Sequence, residues 1–152
     1  MHGVELVANA AAVYAAADLI VKVKEPVGPE LDLLRSDQRL FSYLHLATNE
    51  VLTRRLIDIG LTAIAFETIH ATDYRDPSYQ WEGVTHFAVT NMPGAVPRTA
   101  SQVLSAAVLP YTRILAGGDW SSSDALQRGI NVQAGMLCYP ALQDLFPNLS
   151  TG

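Results

Sequence analysis

Apolar and polar positions alternate through the first 67 residues in a rhythm of strands and helices. The alanine-rich segment 8–17 predicts a helix, and so does Glu50–Ile59, which Thr48 or Asn49 can cap and Gly60 can close. Runs of apolar and β-branched residues separate these helices and predict strands. Such alternation favours a mostly parallel sheet flanked by helices. The predicted strands are Val4–Val7, Leu19–Lys24, Leu40–Leu46 and Leu61–Phe66.

The second half of the chain begins with a polar segment. Residues 68–83 lack an apolar period and predict a connection, so we expect a single domain formed by 1–67 and 84–152. After the strand candidate Val84–Val89, Pro97 opens a long helix that Pro110 should kink and Gly117-Gly118 should stop. The predicted elements after that are a short helix capped within 121–123, a strand at Met136–Tyr139 and a helix opened by Pro140.

Composition narrows the class of protein. The chain has 152 residues, 49% of them hydrophobic, which is enough for one domain with a core. No uninterrupted apolar run reaches the length of a membrane span, and a net charge of −5 without a basic block argues against nucleic acid. Cys138 is the only cysteine, which fits a reducing cytoplasm. The four histidines are too dispersed to predict a metal site.

Three polar residues stand at the carboxyl ends of candidate strands, the edge that borders ligands in open α/β sheets. They are Lys24, His45 and Glu67. An ammonium, an imidazole and a carboxylate around one crevice would suit a small anionic substrate whose carbonyl needs a proton donor. Structural alternatives stay open at each position. Lysines can lie on the solvated face of an edge strand, His45 can be a hydrogen-bonded core histidine, and Glu67 can form a cap or a salt bridge.

Arg98 and Thr99 stand at the start of the long helix, behind a Pro-Gly turn. The free N–H groups of a helix N-terminus attract anions, although an ordinary capped helix with a surface arginine has the same sequence. Gly117-Gly118 follows a helix rather than a strand, so it is neither a dinucleotide fingerprint nor a phosphate-binding loop.

Three motifs together resemble the alanine dehydrogenase family and the related transhydrogenase alpha subunits. They are Lys22–Pro26, Tyr43–Ala47 and Asn91–Thr99. The resemblance implies a substrate domain with a flavodoxin-like half, in which the lysine of the Lys-Glu-Pro motif polarises the substrate oxygen and the histidine acts as acid/base partner. It also implies that the Asn-Met pair lies beside the nicotinamide ring. The site residues expected from motifs and strand ends together are Lys24, His45, Tyr43, Glu67, Asn91, Met92 and Arg98.

The chain departs from that family in three respects. The family's carboxylate-gripping arginine and its catalytic aspartate have no counterpart here. Between Thr68 and Trp81, where the family inserts its Rossmann domain, there is only a short polar connection without the glycine fingerprint. We therefore expect no cofactor bound by this chain alone, and no self-sufficient NAD-dependent dehydrogenase.

Three functions fit this pattern. The chain can bind a small 2-oxo or 2-amino acid, such as pyruvate or alanine, and carry out non-redox chemistry on it: proton transfer, elimination, hydration or imine formation. It can be a non-catalytic pseudoenzyme or assembly module. It can also be half of a dehydrogenase that needs a separate NAD-binding protein. A bare sheet edge and the apolar long helix predict a homodimer or larger assembly.

Overall fold

Strands and helices alternate on the amino-terminal side of the molecule. The computed structural model describes residues 3–69, 78–81, 84–87 and 97–149. Three strands and three helices occur in its first continuous range. In chain order they are α1 Ala10–Ala16, β1 Leu19–Val21, β2 Arg39–Ser42, α2 Glu50–Ile59, β3 Thr62–Ala65 and α3 Phe66–Ile69. The strands β1, β2 and β3 lie side by side and parallel.

The remaining elements complete this sheet and add a hairpin. The long helix α4 packs through its carboxyl-terminal turn, where Leu115 is fully buried and the Leu115 carbonyl accepts a 2.7 Å hydrogen bond from Arg39. Two 3₁₀ turns, Gly28–Asp32 and Leu46–Thr48, follow β1 and β2, and a third occupies Trp120–Ser122. The elements of this part are β4 Ser78–Trp81, β5 Val84–Phe87, α4 Pro97–Gly117, α5 Asp124–Arg128, β6 Ile130–Gln133, β7 Met136–Leu137 and α6 Pro140–Leu145.

The sheet separates two apolar clusters. Successive residues of a strand point to opposite faces, so Leu40 and Ala63 face one cluster while Phe41 and Ile64 face the other. The first cluster includes buried side chains of α1, α2 and α6, and the second includes buried side chains of α3, α4 and α5. Helices therefore cover both faces, as the alternating pattern predicted.

The prediction of a mostly parallel sheet is only partly correct. The strand order is β1-β2-β3-β6-β7, and two of the four neighbouring pairs, β3 with β6 and β6 with β7, are antiparallel. The sequence analysis missed β6. A tight turn at Ala134-Gly135, both with positive φ, returns the chain directly from β6 to β7 and makes that pair antiparallel.

Gly129 lets β6 approach β3. A Cβ atom at this position would stand 2.9 Å from Ile69 Cγ1 and 3.1 Å from Ile64 Cγ2, so a larger residue would push β6 and α3 apart. The Gly129 carbonyl instead accepts hydrogen bonds from the Ala65 N–H and from the side chains of Thr68 and Asn131. The junction between the two halves of the sheet is thus closed by backbone and buried polar groups.

Other predictions were wrong in detail. Val4–Val7 forms no strand and its side chains are exposed, because no neighbouring strand pairs with it among the described residues. The predicted connection 68–83 holds the end of α3 and strand β4, which pairs antiparallel with β5.

The prediction of helix α2 is confirmed residue for residue, with Asn49 accepting from Leu52 N–H and Gly60 in the left-handed conformation. Helix α4 runs through Pro110 without a break.

Candidate functional site

Three segments meet beyond the carboxyl ends of β1, β2 and β3, because those strands are parallel and end at one edge of the sheet. Strands β1 and β2 are shorter than predicted, so Lys24 and His45 lie in the loops that follow them rather than at their ends. Two hydrogen bonds keep these loops together: Lys22 N–H donates to the Phe41 carbonyl and Tyr43 N–H donates to the Val23 carbonyl. Glu67 lies in the first turn of α3, not at the end of β3.

His45 stands at the centre of this edge. Its backbone is left-handed, with φ 51° and ψ 35°. Its Nδ1 lies 3.1 Å from Oε2 of Glu25, and the ring stacks on Tyr43 at a centroid distance of 5.8 Å. The His45 side chain is 41% exposed, so it is not the buried core histidine that remained an alternative. A carboxylate at Nδ1 fixes the ring and leaves Nε2 as its second polar atom.

Glu67 accepts hydrogen bonds from the backbone. Its Oε1 accepts hydrogen bonds from the N–H of His45 at 2.7 Å and the N–H of Leu44 at 3.1 Å, and its Oε2 accepts from Leu44 N–H at 3.3 Å. These contacts connect α3 to the loop after β2. The sequence predicted that Glu67 borders the crevice, but not that both its oxygens face main-chain donors.

The two lysines of the first motif have different surroundings. Lys22 Nζ lies 2.6 Å from Oε2 of Glu30, and both side chains are partly buried. Lys24 is exposed and forms no hydrogen bond or ion pair with another described residue. Its positive charge nevertheless acts on Glu25, its neighbour in the chain. Of the two ammonium groups, the one on Lys24 is available to a ligand.

The local charges shift two pKa values at this edge. Burial acts to raise the pKa of Glu25, but a backbone hydrogen bond, His45 and Lys24 outweigh it and bring that pKa below its usual value. Burial, followed by the charge of Glu67, raises the pKa of Tyr43. Glu25 is therefore a stable anion beside His45. Sequence reasoning did not assign it a role, although its place next to Lys24 in the Lys-Glu-Pro motif was a usable signal.

The other predicted residues are not brought to this edge. Arg98 lies exposed in the first turn of α4 and forms no hydrogen bond or ion pair with Lys24, His45 or Glu67. Asn91 and Met92 lie outside the described residues. Of the seven predicted residues, the structure groups Tyr43, His45 and Glu67 by direct contact, and Lys24 is adjacent through Glu25.

A separate cleft of about 650 Å³ lies between α3, α5 and the β6–β7 hairpin. Its walls include Thr68, Arg128, Cys138 and Tyr139, none of which belongs to the Lys24–His45 edge. Burial raises the pKa of the Cys138 thiol, so this cysteine is not an activated nucleophile. Sequence reasoning missed the cleft because β6, which forms one of its walls, was itself missed.

The described part of the chain contains neither a dinucleotide cradle nor a cluster of metal ligands. A dinucleotide needs a glycine-rich turn that leads from a strand into a helix. Here β3 runs straight into α3, and the loop from β2 to α2 contains no glycine, so the described residues do not fit that group. No group of three or more His, Cys, Asp or Glu side chains within these ranges could hold a metal ion. None of the helices that the structure describes combines the length and apolar character needed to cross a bilayer.

Comparisons of sequence and of fold both find that this chain is similar to alanine dehydrogenases. Alanine dehydrogenase from Halomonas elongata is 38% identical over 96 residues, which make up 60% of this chain and 26% of that protein. Alanine dehydrogenase from Mycobacterium tuberculosis is 48% identical over 71 residues, or 47% of this chain and 19% of that protein. The chain thus spans about a quarter or less of the length of these relatives.

A solved structure of L-alanine dehydrogenase has the same fold, with a TM-score of 0.80 at 23% identity, covering 97% of this chain and 85% of that one. Two family models also match. The N-terminal domain of alanine dehydrogenase/PNT matches residues 1–78, and the C-terminal domain of alanine dehydrogenase/PNT matches residues 57–140. Since each match covers more than half of the chain, the protein belongs to the alanine dehydrogenase/PNT family.

Proposed function

We propose that this chain binds a small 2-oxo or 2-amino acid, such as pyruvate or alanine, at the edge formed by Lys24 and His45. The observation that carries the proposal is the Glu25–His45 pair beside the exposed Lys24. A carboxylate-oriented imidazole next to an ammonium that no described residue pairs is an arrangement that suits proton transfer at a carbonyl compound. The relatives of this chain are named alanine dehydrogenase, and alanine is a compound of this class.

The proposed chemistry is proton transfer without a nucleotide. The Lys24 ammonium would hold the substrate oxygen and stabilise negative charge that develops on it. His45, with Nδ1 held by Glu25, would use Nε2 to remove a proton from the carbon next to the carbonyl and to return it. Elimination, hydration and imine formation draw on the same two groups. We expect no tight binding of NADH by this chain alone, because the described residues do not form a dinucleotide cradle.

Exchange of the methyl protons of pyruvate tests this proposal. In heavy water, the wild-type chain should incorporate deuterium at the pyruvate methyl group faster than buffer does, as followed by proton NMR. Lys24→Ala and His45→Ala should each reduce this exchange by a factor of about 10² or more, the usual range for loss of a positioned acid or base. Calorimetric titration of pyruvate should show weaker binding in both variants.

Lys22→Ala is the matched control, because Lys22 is the same residue type two positions away but is paired with Glu30. It should leave exchange and binding unchanged while lowering stability. Equal loss in Lys22→Ala and Lys24→Ala would contradict the site. Exchange no faster than in buffer, with calorimetry showing no binding of pyruvate or alanine by the wild-type chain, would leave the non-catalytic module as the better reading.

The exposed face of α4 favours assembly as a second function. Val103 is 63% exposed and Leu109 48% exposed, and from Pro97 to Ile114 the helix has no fully buried side chain. We expect the chain to form a homodimer or larger assembly through this face, or to pair with a separate nucleotide-binding chain. We also expect a cytoplasmic location. Sedimentation of the wild type and of Leu109→Lys should show a larger species that the substitution dissociates. A wild-type monomer would contradict self-association.

A further inference from the structure

Glu67 takes no part in the proposed proton transfer, but it accepts a hydrogen bond from the backbone of His45. We propose that Glu67 is a positioning residue, which holds the left-handed backbone of His45 and thereby places the imidazole against Glu25. This inference rests on the proposed function only in taking His45 as the group to be positioned. Glu67 would act as a hydrogen-bond acceptor for main chain, and not as a ligand for substrate or a carrier of protons.

The backbone at His45 needs an anchor. A φ of 51° is a conformation that side-chain-bearing residues rarely adopt, because Cβ crowds the following carbonyl. Strand β2 has already ended at Ser42, so the N–H groups of Leu44 and His45 have no strand partner. Both N–H groups donate to Glu67 instead. Without that acceptor, the chain would lose the contacts that compensate for its strained turn.

The other side of His45 is also fixed. The His45 carbonyl accepts a 3.1 Å hydrogen bond from Thr48 N–H and a 3.0 Å hydrogen bond from Thr48 Oγ1. His45 is therefore held from its N–H by α3 and from its carbonyl by the turn that leads into α2. The imidazole has few remaining degrees of freedom, and Glu25 and Tyr43 fix its direction.

The geometry separates an acceptor role from an acid/base role. One atom, Oε1, accepts both N–H groups, and the second oxygen also faces Leu44 N–H. Both oxygens already accept from main-chain donors, so the contacts seen for Glu67 are those of a structural acceptor. A glutamine can present a carbonyl oxygen at the position of Oε1, whereas a methionine of similar length cannot accept these bonds.

Two substitutions at Glu67 test the role, namely Glu67→Gln and Glu67→Met. The readout is NMR of the chain labelled with ¹³C and ¹⁵N: the coupling between the amide and α protons of His45, which depends on φ, and the ring nitrogen shifts of His45. Glu67→Gln should keep both signals as in the wild type and keep pyruvate binding within about threefold. Glu67→Met should change both signals and weaken pyruvate binding about tenfold or more, as expected for lost hydrogen bonds to a charged acceptor.

The outcomes are distinct from those of the proposed function. If wild type does not bind pyruvate, the His45 signals still decide whether Glu67 positions this residue. Unchanged His45 signals in Glu67→Met would overturn the inference, and so would a Gln variant that keeps the wild-type signals but loses binding as the Met variant does. Should Glu67→Met fail to fold, Glu67→Asp replaces it, because its carboxylate is one methylene too short to reach both N–H groups.

Discussion

Two carboxylates near the carboxyl ends of the parallel strands are used in different ways. Glu30 is matched by a cation: its Oε2 lies 2.6 Å from Lys22 Nζ and also accepts from Val27 N–H at 3.0 Å. Glu67 is matched by two main-chain N–H groups, those of Leu44 and His45. The first contact completes a neutral, partly buried ion pair, whereas the second involves no cation. Lys24 has no hydrogen-bond or ion-pair partner among the described residues.

Residue type therefore does not decide which of the two lysines, Lys22 or Lys24, is paired. Lys22 and Lys24 are two positions apart in one motif, and nothing in their spacing separates them. What separates them is the 3₁₀ turn Gly28–Asp32, which brings Glu30 back to Lys22 and to no other lysine. The ion pair stabilises the loop after β1, whereas Lys24 and Glu25 lie outside that pair.

The largest effect on stability should come from breaking the ion pair. Lys22→Ala leaves a partly buried Glu30 carboxylate without its cation, and we expect a loss of about 1–2 kcal/mol of unfolding free energy, between the values for exposed and buried pairs. Lys24→Ala, at an exposed position, should change the unfolding free energy by less than about 0.5 kcal/mol. Urea denaturation of both variants measures this contrast, and equal losses would remove it.

Acid should break the ion pair between Lys22 and Glu30 by protonating the Glu30 carboxylate. The hydrogen bond from Lys22, followed by that from Val27 N–H, lowers the pKa of Glu30 below 4.5 in the folded state. The folded protein therefore binds fewer protons than the unfolded chain, so this contribution is present above pH 4.5 and disappears as the pH falls through the lowered pKa. Thermal melts between pH 6 and pH 3 should show a steeper loss of stability for wild type than for Lys22→Ala. Parallel curves would contradict the assignment.

Base should act on Tyr14, which packs next to the ion pair. Burial, and then the charge of Glu30, raises the pKa of Tyr14 from 10.0 to about 12. The unfolded chain loses the phenol proton first, so the stability that Tyr14 contributes is complete below pH 10.0 and falls as the pH rises towards 12. Tyr14→Phe is the control that lacks the titrating group. Its unfolding free energy should decline less than that of wild type over this range.

Removal of the His45 side chain should also have only a small effect on stability. This side chain is 41% exposed, and alanine is only somewhat more disfavoured than histidine at the positive φ of this position. We therefore expect His45→Ala to cost less than about 1 kcal/mol of unfolding free energy, since the group is not buried and removing it leaves no buried polar atom of its own unpaired. A larger loss in chemical denaturation would restore the interpretation of His45 as a structural histidine.

Local signals in the sequence were sufficient for elements that depend on local contacts. Helix α2 could be bounded from Asn49 and Gly60, because a cap residue and a left-handed glycine act within one turn of the helix. Ser123 and Pro140 are local signals of the same kind, because they mark the starts of α5 and α6. The predicted shared edge for Lys24, His45 and Glu67 followed from the parallel arrangement of three neighbouring strands.

Contacts between distant parts of the chain could not be predicted from local sequence signals. Strand β6 is four residues long and finds its partner β3 only through the fold, although the Ala134-Gly135 turn after it was a usable signal. The acceptor role of Glu67 depends on where α3 lies relative to the loop after β2, 22 residues earlier in the chain. Strand ends were overestimated because apolar residues continue past the last paired residue, as in Val23 and Leu44.

The pairing of β3 with β6 has a consequence for what the sheet can tolerate. Ile64 and Ile130 are partners in the sheet but far apart in sequence, so forming this pair closes a long loop. The entropy lost on closing a loop rises only with the logarithm of its length, and a doubling costs about 0.6 kcal/mol. The parallel pairs, between β1, β2 and β3, form without closing this loop. Added length at an exposed point between β3 and β6 should therefore cost little closure entropy, as long as the packed helices of this segment keep their contacts.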